Sequence, residues 1–397
     1  MIFATAAPTT AQVLAAWTQL GQRGAVIARA IVPASRQCPV LNFGKGEKRP
    51  LEQRVAPGGF FNVRVCETRL PRSVRNISLN GHPLPGRPQR LHRIAVIGDT
   101  GCRIEVVLFQ GCNSPSEWPF PQIARRVAAA KPDLVIHVGD YYYRETPCMI
   151  PQCAGSPHGD GWPAWAADWF TPAAPIFARA PLLLVRGNHE VCSRGGEGWD
   201  RFLSQYPYGS CSDHEQAYRV GGNVRFVVVD SSQADDRHAI PAQVSRYRPE
   251  FDQVRHLGPH ETWLVSHRPL WGLASAAQGV GVVNATLDAS VGDPKTFPIE
   301  LALAGHVHLF EALGFADKRP PQVIVGTGGD LLSTMPAVQT GLHVDRTTLS
   351  AVTLRRNFGY AIFDLDLKTL TWYTASADAR ILCRYGPGKI SCTPLPS

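Results

Sequence analysis

No apolar run in this sequence approaches the ~20 residues that a bilayer-spanning helix needs, so an integral membrane protein is not expected. None of its cysteines forms a CxxC pair, which argues against a zinc ribbon. Internal repeats and long low-complexity tracts are absent as well. Nor are the basic residues gathered into blocks. Lys and Arg total 40 against 32 Asp and Glu, a net +8, yet the densest run, RLPRSVR at 69–75, has no interleaved aromatic residue. A solvated basic face is therefore the reading: no nucleic-acid partner is expected, and an anionic substrate remains compatible. The opening stretch MIFATAAPTTAQ lacks a charged n-region and a clear apolar h-region, so no signal peptide is visible in it.

A chain of 397 residues is longer than one core usually supports, which predicts a large domain with a smaller companion. Hydrophobic residues at 44% and charged ones at 18% suit a soluble globular protein. The ten cysteines (Cys38, Cys66, Cys102, Cys112, Cys148, Cys153, Cys192, Cys211, Cys383 and Cys392) are an even set, with near neighbours at Cys148/Cys153 and Cys383/Cys392. Disulfides in a periplasmic or secreted protein explain that set better than buried thiols in a cytosolic one.

Along the chain, GAVIARAIV, GGFFNVRVCETRL and SVRNISLNG read as short strands separated by Gly and Pro. They predict a small all-β module over residues 1–90, leading segment included, closed by the linker HPLPGRPQRLHR. From 91 to 397 short apolar runs (IAVIG, LVIHVG, LLLVRG, VRFVVVD, TWLVSH, ELALAG, QVIVG) alternate with helical stretches such as PQIARRVAAAK and GWPAWAADWF. That alternation indicates an α/β layered sandwich flanked by helices, and YAIFDLDLKTLTWYTA reads as a hairpin finishing a sheet.

Five of these runs end in residues that bind metals: VIGDTG, HVGDYYY, VRGNHE, LVSHRP and LAGHVH. In open α/β sheets, residues beyond the carboxyl ends of strands converge on a ligand site. Each segment alone is a weak signal, because GD and GH are common. Together they supply Asp, Asp, Asn, His and His, which turn chemistry does not account for.

This order of segments, over residues 94 to 330, resembles the calcineurin-like metallophosphoesterases and, within them, the purple acid phosphatases. The resemblance implies a two-metal centre in which Asp99, Asp140, Tyr143 and His308 hold one ion. Asp140, Asn188, His267 and His306 hold the other, with Asp140 bridging. Leu264 stands where the family usually has Val, a conservative departure.

The residue types suit the chemistry independently. Oxygen donors with imidazoles fit iron, zinc or manganese, and one carboxylate holds two ions ~3.5–4 Å apart by bridging them. A phenol titrates near ~10, so a Tyr143 phenolate requires a strongly Lewis-acidic ion. The implied cofactors are thus Fe3+ with Fe2+, Zn2+ or Mn2+, while Tyr141 and Tyr142 belong to the wall or core. In the same family pattern His189 faces the substrate as an acid or an oxyanion partner, a hydrogen bonder to a ligand being the alternative. Glu190 orients its neighbours. Arg268 is read as a bidentate phosphate fork or as a salt-bridge residue, and His137 as a core histidine. A Cys102–Cys112 bridge would fix the first ligand loop.

The expected function is hydrolysis of small phosphate monoesters by metal-activated hydroxide, with His189 assisting the departing alcohol. A phosphodiesterase or nucleotide-cleaving enzyme of the same superfamily is the first alternative, since the ligand set does not report the number of ester bonds. An exported metal-containing binding protein with a vestigial site is the alternative of another class, disfavoured by the intact ligand set.

Overall fold

The computed structural model describes residues 12–395 apart from 45, 73, 75–76, 258–260, 277–278 and 345. The stretch 1–11 and part of the arginine-rich run therefore lie outside the described residues.

Two large sheets face each other, with helices on the outer side of both. In the first, Arg93–Ile97, Leu134–His137 and Leu182–Leu184 run parallel at the centre of eleven strands. In the second, Arg225–Val229, Thr262–Ser266, Leu301–Ala304 and Gln322–Val325 run parallel within eight. Such strands are covered on both faces, so they read as unbroken apolar runs instead of alternating ones. Ile94, Val96, Ile136 and Leu183 point between the sheets at Val228, Trp263, Val265 and Leu303. Ala95, Ile97, Val135 and Leu184 point the other way, onto Phe120 and Val127 of helix Phe120–Ala129 and onto Trp165 and Trp169. On the far side, Val227, Val229 and Leu264 meet Tyr247, Phe251 and Val254 of helix Pro241–Arg255. Each such large side chain, fully buried, stabilises the fold by ~1.5–3 kcal/mol before chain entropy is counted.

The strand Ala15–Leu20 escaped the sequence reading because AAWTQL shows neither β-branched enrichment nor alternation. It lies between Leu182–Leu184, to which it runs parallel, and Val26–Pro33, to which it runs antiparallel. Two of the segments expected to form an N-terminal module, as Val26–Pro33 and Val63–Arg69, thus extend the same eleven-stranded sheet, so hydrogen bonding is shared across the expected boundary at 90/91. The third segment, as Ile77–Leu79, joins Val40–Asn42, Lys48–Pro50 and His82–Leu84 in a small sheet apart from it. The stretch GWPAWAADWF is helical as expected, but it widens from the α-turn Trp162–Trp165 into a π-turn, Ala166–Phe170. The C-terminal hairpin Gly359–Asp364/Thr369–Thr374 pairs with Arg93–Ile97 and continues outward through two more strands.

All ten cysteines are bridged: Cys38–Cys66, Cys102–Cys112, Cys148–Cys153, Cys192–Cys211 and Cys383–Cys392. Cys148–Cys153 and Cys383–Cys392 were expected from proximity in sequence, and Cys102–Cys112 as a bridge that would fix the first ligand loop. The other two join segments that only the fold brings together.

One buried group links the loops of the second sheet. Glu311, fully buried on Phe310–Phe315, accepts the Leu273 amide at 3.0 Å through Oε2, while Oε1 has no partner. Burial pushes its carboxyl up to about 8. The unfolded chain releases this proton near ~4.5 whereas the folded one keeps it, so folding takes up a proton and stability falls as pH rises from ~4.5 to 8. Glu311→Gln keeps the acceptor without the titration. Urea unfolding should show it more stable than the parent by roughly 1–3 kcal/mol at pH 8, with the gap closing at pH ~4.5. An equal gap at both pH values would show that Glu311 does not titrate in this window.

Candidate metal centre

The parallel registers set the strand ends level: Ile97 lies opposite His137, and Ile136 opposite Leu183. In the second sheet Val229 pairs with Ser266 and Val265 with Leu303. The loops that follow these ends turn sharply toward one another. Asp99, Asp140 and His306 take φ of 56°, 58° and 69°, the left-handed region that non-glycine residues rarely adopt and that marks strained functional loops. Close approach does the rest: a Cβ at Gly187 would collide with the Asp140 carboxylate, and one at Gly139 with the His267 ring.

The result is one buried cluster. Ligand atoms of Asp99, Asp140 and His308 lie within 4.8 Å of one another, as do those of Asp140, His267 and His306, so Asp140 is common to both groups. The Tyr143 hydroxyl is 2.8 Å from Asp140 Oδ2 and 3.2 Å from His308 Nε2. Asn188 Oδ1 is 3.0 Å from His267 Nε2. All seven sequence-predicted ligands therefore converge.

Each histidine is fixed from behind. His267 Nδ1 donates to the Val138 carbonyl at 2.8 Å and His308 Nδ1 to the Leu331 carbonyl at 2.7 Å, which leaves both Nε2 lone pairs facing inward. His306 Nε2 meets Asp236 Oδ2 at 2.9 Å. Glu190 accepts four loop amides, those of Asp140, Tyr141, Tyr142 and Gly187, at 2.8–3.2 Å. Asp168 accepts the Tyr143 and Cys102 amides and pairs with Arg144. Tyr141 hydrogen-bonds the Val185 carbonyl and Tyr142 stacks on Trp165, while His137 stacks on Tyr141 and touches Thr100. None of these last three faces the cluster as a ligand.

The electrostatics call for positive charge. Burial raises the Asp99 carboxyl, and it opposes charge on His267 and His308 too, yet Asp140 on the first and Asp330 on the second outweigh it and push both imidazoles up to about 9. Buried carboxylates that draw protons onto neighbouring imidazoles are a set that cations would satisfy, and the mix of carboxylate, amide, phenol and imidazole donors fits two borderline or hard ions. Two further clusters do not fit. Cys192 and Cys211, near Asp213, are bonded to each other, and Glu105, Glu145 and His189 are engaged by Arg103 and Arg194.

His189 lies beside the cluster, its ring 3.8 Å from that of Tyr143 and its Nδ1 2.8 Å from Glu145 Oε1. Burial drives its imidazole down to about 3 against the pull of Asp140. Arg268 does not present a free fork: Nη1 engages Asp236 and lies 2.9 Å from His306 Nε2, and Nε reaches the Ser232 carbonyl. The sequence reading missed Asp168, Asp236, Asp330 and Glu145 as supports. For Asp330 a signal was present, because TGGD follows the apolar run QVIVG as GD follows other strands.

Residues 92–310 match the model of the calcineurin-like phosphoesterase family. The chain is 23% identical over 319 residues to purple acid phosphatase 23 of Arabidopsis thaliana, covering 74% of this chain but only 64% of the plant protein. Purple acid phosphatase PPD1 from yellow lupin (Lupinus luteus) seeds shares the fold over 95% of this chain and 72% of its own, with a TM-score of 0.56 and 15% identity. PhoD does so over 99% and 94%, with a TM-score of 0.57 and 10% identity.

Glu190 makes a direct test of how the cluster is held. Glu190→Ala strips four buried amides of their acceptor, so thermal unfolding should report a loss of roughly 3–5 kcal/mol and elemental analysis a fall in bound metal. Full metal content with unchanged stability would show that the loops hold themselves.

Proposed function

The chain belongs to the calcineurin-like phosphoesterase family, and on that premise we propose that it hydrolyses small phosphate monoesters at a pair of metal ions, as the purple acid phosphatases do. The observation that carries the reading is the common position of Asp140, one carboxylate shared by two ligand groups. Asp99, Asp140, Tyr143 and His308 would hold one ion; Asp140, Asn188, His267 and His306 would hold the other. Bound there, the pair supplies Lewis-acid neutralisation of phosphate charge and activation of water.

The chain's own residues do the remaining work. The carbonyls of Val138 and Leu331 keep two Nε2 lone pairs aimed inward, and Asp236 with Arg268 braces His306. We assign Arg268 that bracing role in place of a phosphate fork. Glu145 and Arg194 both engage Nδ1 of His189, so a proton on Nε2 would face the departing alcohol, and burial restricts the charged ring to acid pH. Burial and the Asp140 charge hold the Tyr143 phenol well above its usual range, so its deprotonation calls for a trivalent ion, which supports iron at the first position. Five disulfides support a periplasmic or secreted location.

Elemental analysis should find two metals per chain, and a panel of esters should show monoesters turned over faster than diesters, with activity lost on chelation. Iron-loaded protein should absorb visible light, and Tyr143→Phe should remove the band. One metal or none in active protein would overturn the reading, and a preference for diesters would move it to the phosphodiesterases.

His189→Ala should slow esters with poor, alkoxide-like leaving groups by ~10² to 10⁴ while sparing activated aryl esters, with metal content unchanged. An equal loss for both would reassign His189 to phosphate positioning.

A further inference from the structure

We infer that the mouth of this site carries a rigid apolar lip that receives the alcohol portion of the substrate, so that the favoured esters are those of alkyl or aryl alcohols. The inference rests on the phosphoesterase reading above and adds its substrate class. It begins from a turn of unusual composition. The loop closed by Cys102–Cys112 folds into a short hairpin, Ile104–Glu105 with Leu108–Phe109, whose two turn positions are Val106 and Val107. Turns favour Gly, Asn, Asp and Pro, and these two β-branched residues are 76% and 81% exposed, followed by Leu108 at 48%. So exposed, they bury little apolar surface within the fold.

A second loop stands beside the first. Cys148–Cys153 closes it, and Met149 at its tip is 75% exposed. The two are tied together: the amides of Glu145 and Thr146 donate to the Ile104 carbonyl at 3.0 and 3.1 Å, and Asn113 reaches the carbonyls of Gln152 and Ala154. Among the described residues, nine large hydrophobic side chains are exposed, and four of them are on these two loops. Singly exposed apolar residues are ordinary; a cluster on braced loops marks a contact surface.

The base of the hairpin reaches the chemistry. Glu105 Oε1 lies 3.8 Å from His189 Nδ1 and engages Arg194, and Arg103, bonded to Glu105 Oε2 at 2.6 Å, lies 4.9 Å from the centre of the Tyr143 ring. From Glu105 the tip is one or two residues away, ~3–7 Å of extended chain. An alcohol leaving past His189 therefore passes the lip. The charged wall between is already paired, two guanidiniums against Glu105, Glu145 and Asp330, so it offers no surplus positive charge to a second anionic group on the alcohol. Hydrolysis forms the bond from water oxygen to phosphorus, breaks the bond from phosphorus to the alcohol oxygen, and releases the alcohol with its proton; its carbon chain is free to lie on Val106, Val107, Leu108 and Met149 throughout. Two disulfides hold that surface ready, which lowers the ordering needed on binding.

The test is calorimetric binding of ethyl-, butyl-, hexyl- and octylphosphonate to the protein with its metals, compared with a Val106→Ser/Val107→Ser variant and, separately, Met149→Gln. Full burial of a methylene is worth about four-fold in affinity, and an open lip should give about two-fold for each one added. The parent should follow that slope, the double variant should be nearly flat, and ethylphosphonate should bind all three proteins alike. A flat series in the parent would overturn the inference, and so would a slope that survives in both variants. Cosedimentation with phosphatidylcholine vesicles that depends on the valines, alongside a flat series, would overturn it in favour of a bilayer contact. If the slope holds but ethyl phosphate is not hydrolysed, the lip stands and the catalytic reading fails.

Discussion

The carboxylate of Asp140 is where the two halves of this molecule meet. Oδ1 accepts the His189 amide at 2.9 Å from the loop after Leu182–Leu184, and Oδ2 faces His267 Nε2 at 3.1 Å from the loop after Thr262–Ser266. One sheet supplies the aspartate and the other the imidazole, so neither loop is in its working position without the opposite layer. The backbone at Asp140 is left-handed, and that strain is held by Glu190 on the Asp140 amide and by the tight passage at Gly187. A strained residue persists because its surroundings over-determine it.

Charge is organised in layers around that point. Nearest are two buried aspartates and inward-facing imidazoles. Behind them, Asp236 and Asp330 stand against the outer nitrogens of His306 and His308, and Arg268 and Arg103 stand against those aspartates. The alternation of sign lets a low-dielectric interior hold many ionisable groups, since an unpaired one there is expensive. It also gives the arginines a structural occupation: Arg268, which the sequence offered as a phosphate fork or a salt-bridge residue, is engaged with Asp236.

The outer loops follow a different logic. Where the inner loops are fixed by buried hydrogen bonds, the segments 102–112 and 148–153 are closed by disulfides, the first around a two-stranded hairpin and the second around the single turn Pro151–Cys153. The base of the 102–112 loop still reaches the cluster's supports, through Arg103 on Asp330 and the Cys102 amide on Asp168, while its tip is exposed.

Much of this was legible in the linear sequence. The parallel strands could be read because burial on both faces leaves an unbroken apolar run, and the donors Asp99, Asp140, Asn188, His267 and His306 because each follows such a run at a turn, while Tyr143 and His308 were singled out by the family resemblance. Local disulfides at Cys148–Cys153 and Cys383–Cys392 were legible because proximity in the chain nearly imposes them. Tertiary structure alone decided the rest. Ala15–Leu20 becomes a strand through its neighbours on either side, since AAWTQL has no strong preference of its own. Cys38–Cys66 and Cys192–Cys211 depend on which segments are brought together. The supporting roles of Asp168, Asp236 and Asp330 arise from contacts across 24 to 227 positions of sequence, and a carboxylate facing a distant guanidinium leaves no local mark. What the sequence by itself determined is the parallel strands and the donor residues at their ends, because these are set by patterns over a few residues. What the fold decided is which donor faces inward and which charge stands behind it, because those are distances between residues far apart in the chain.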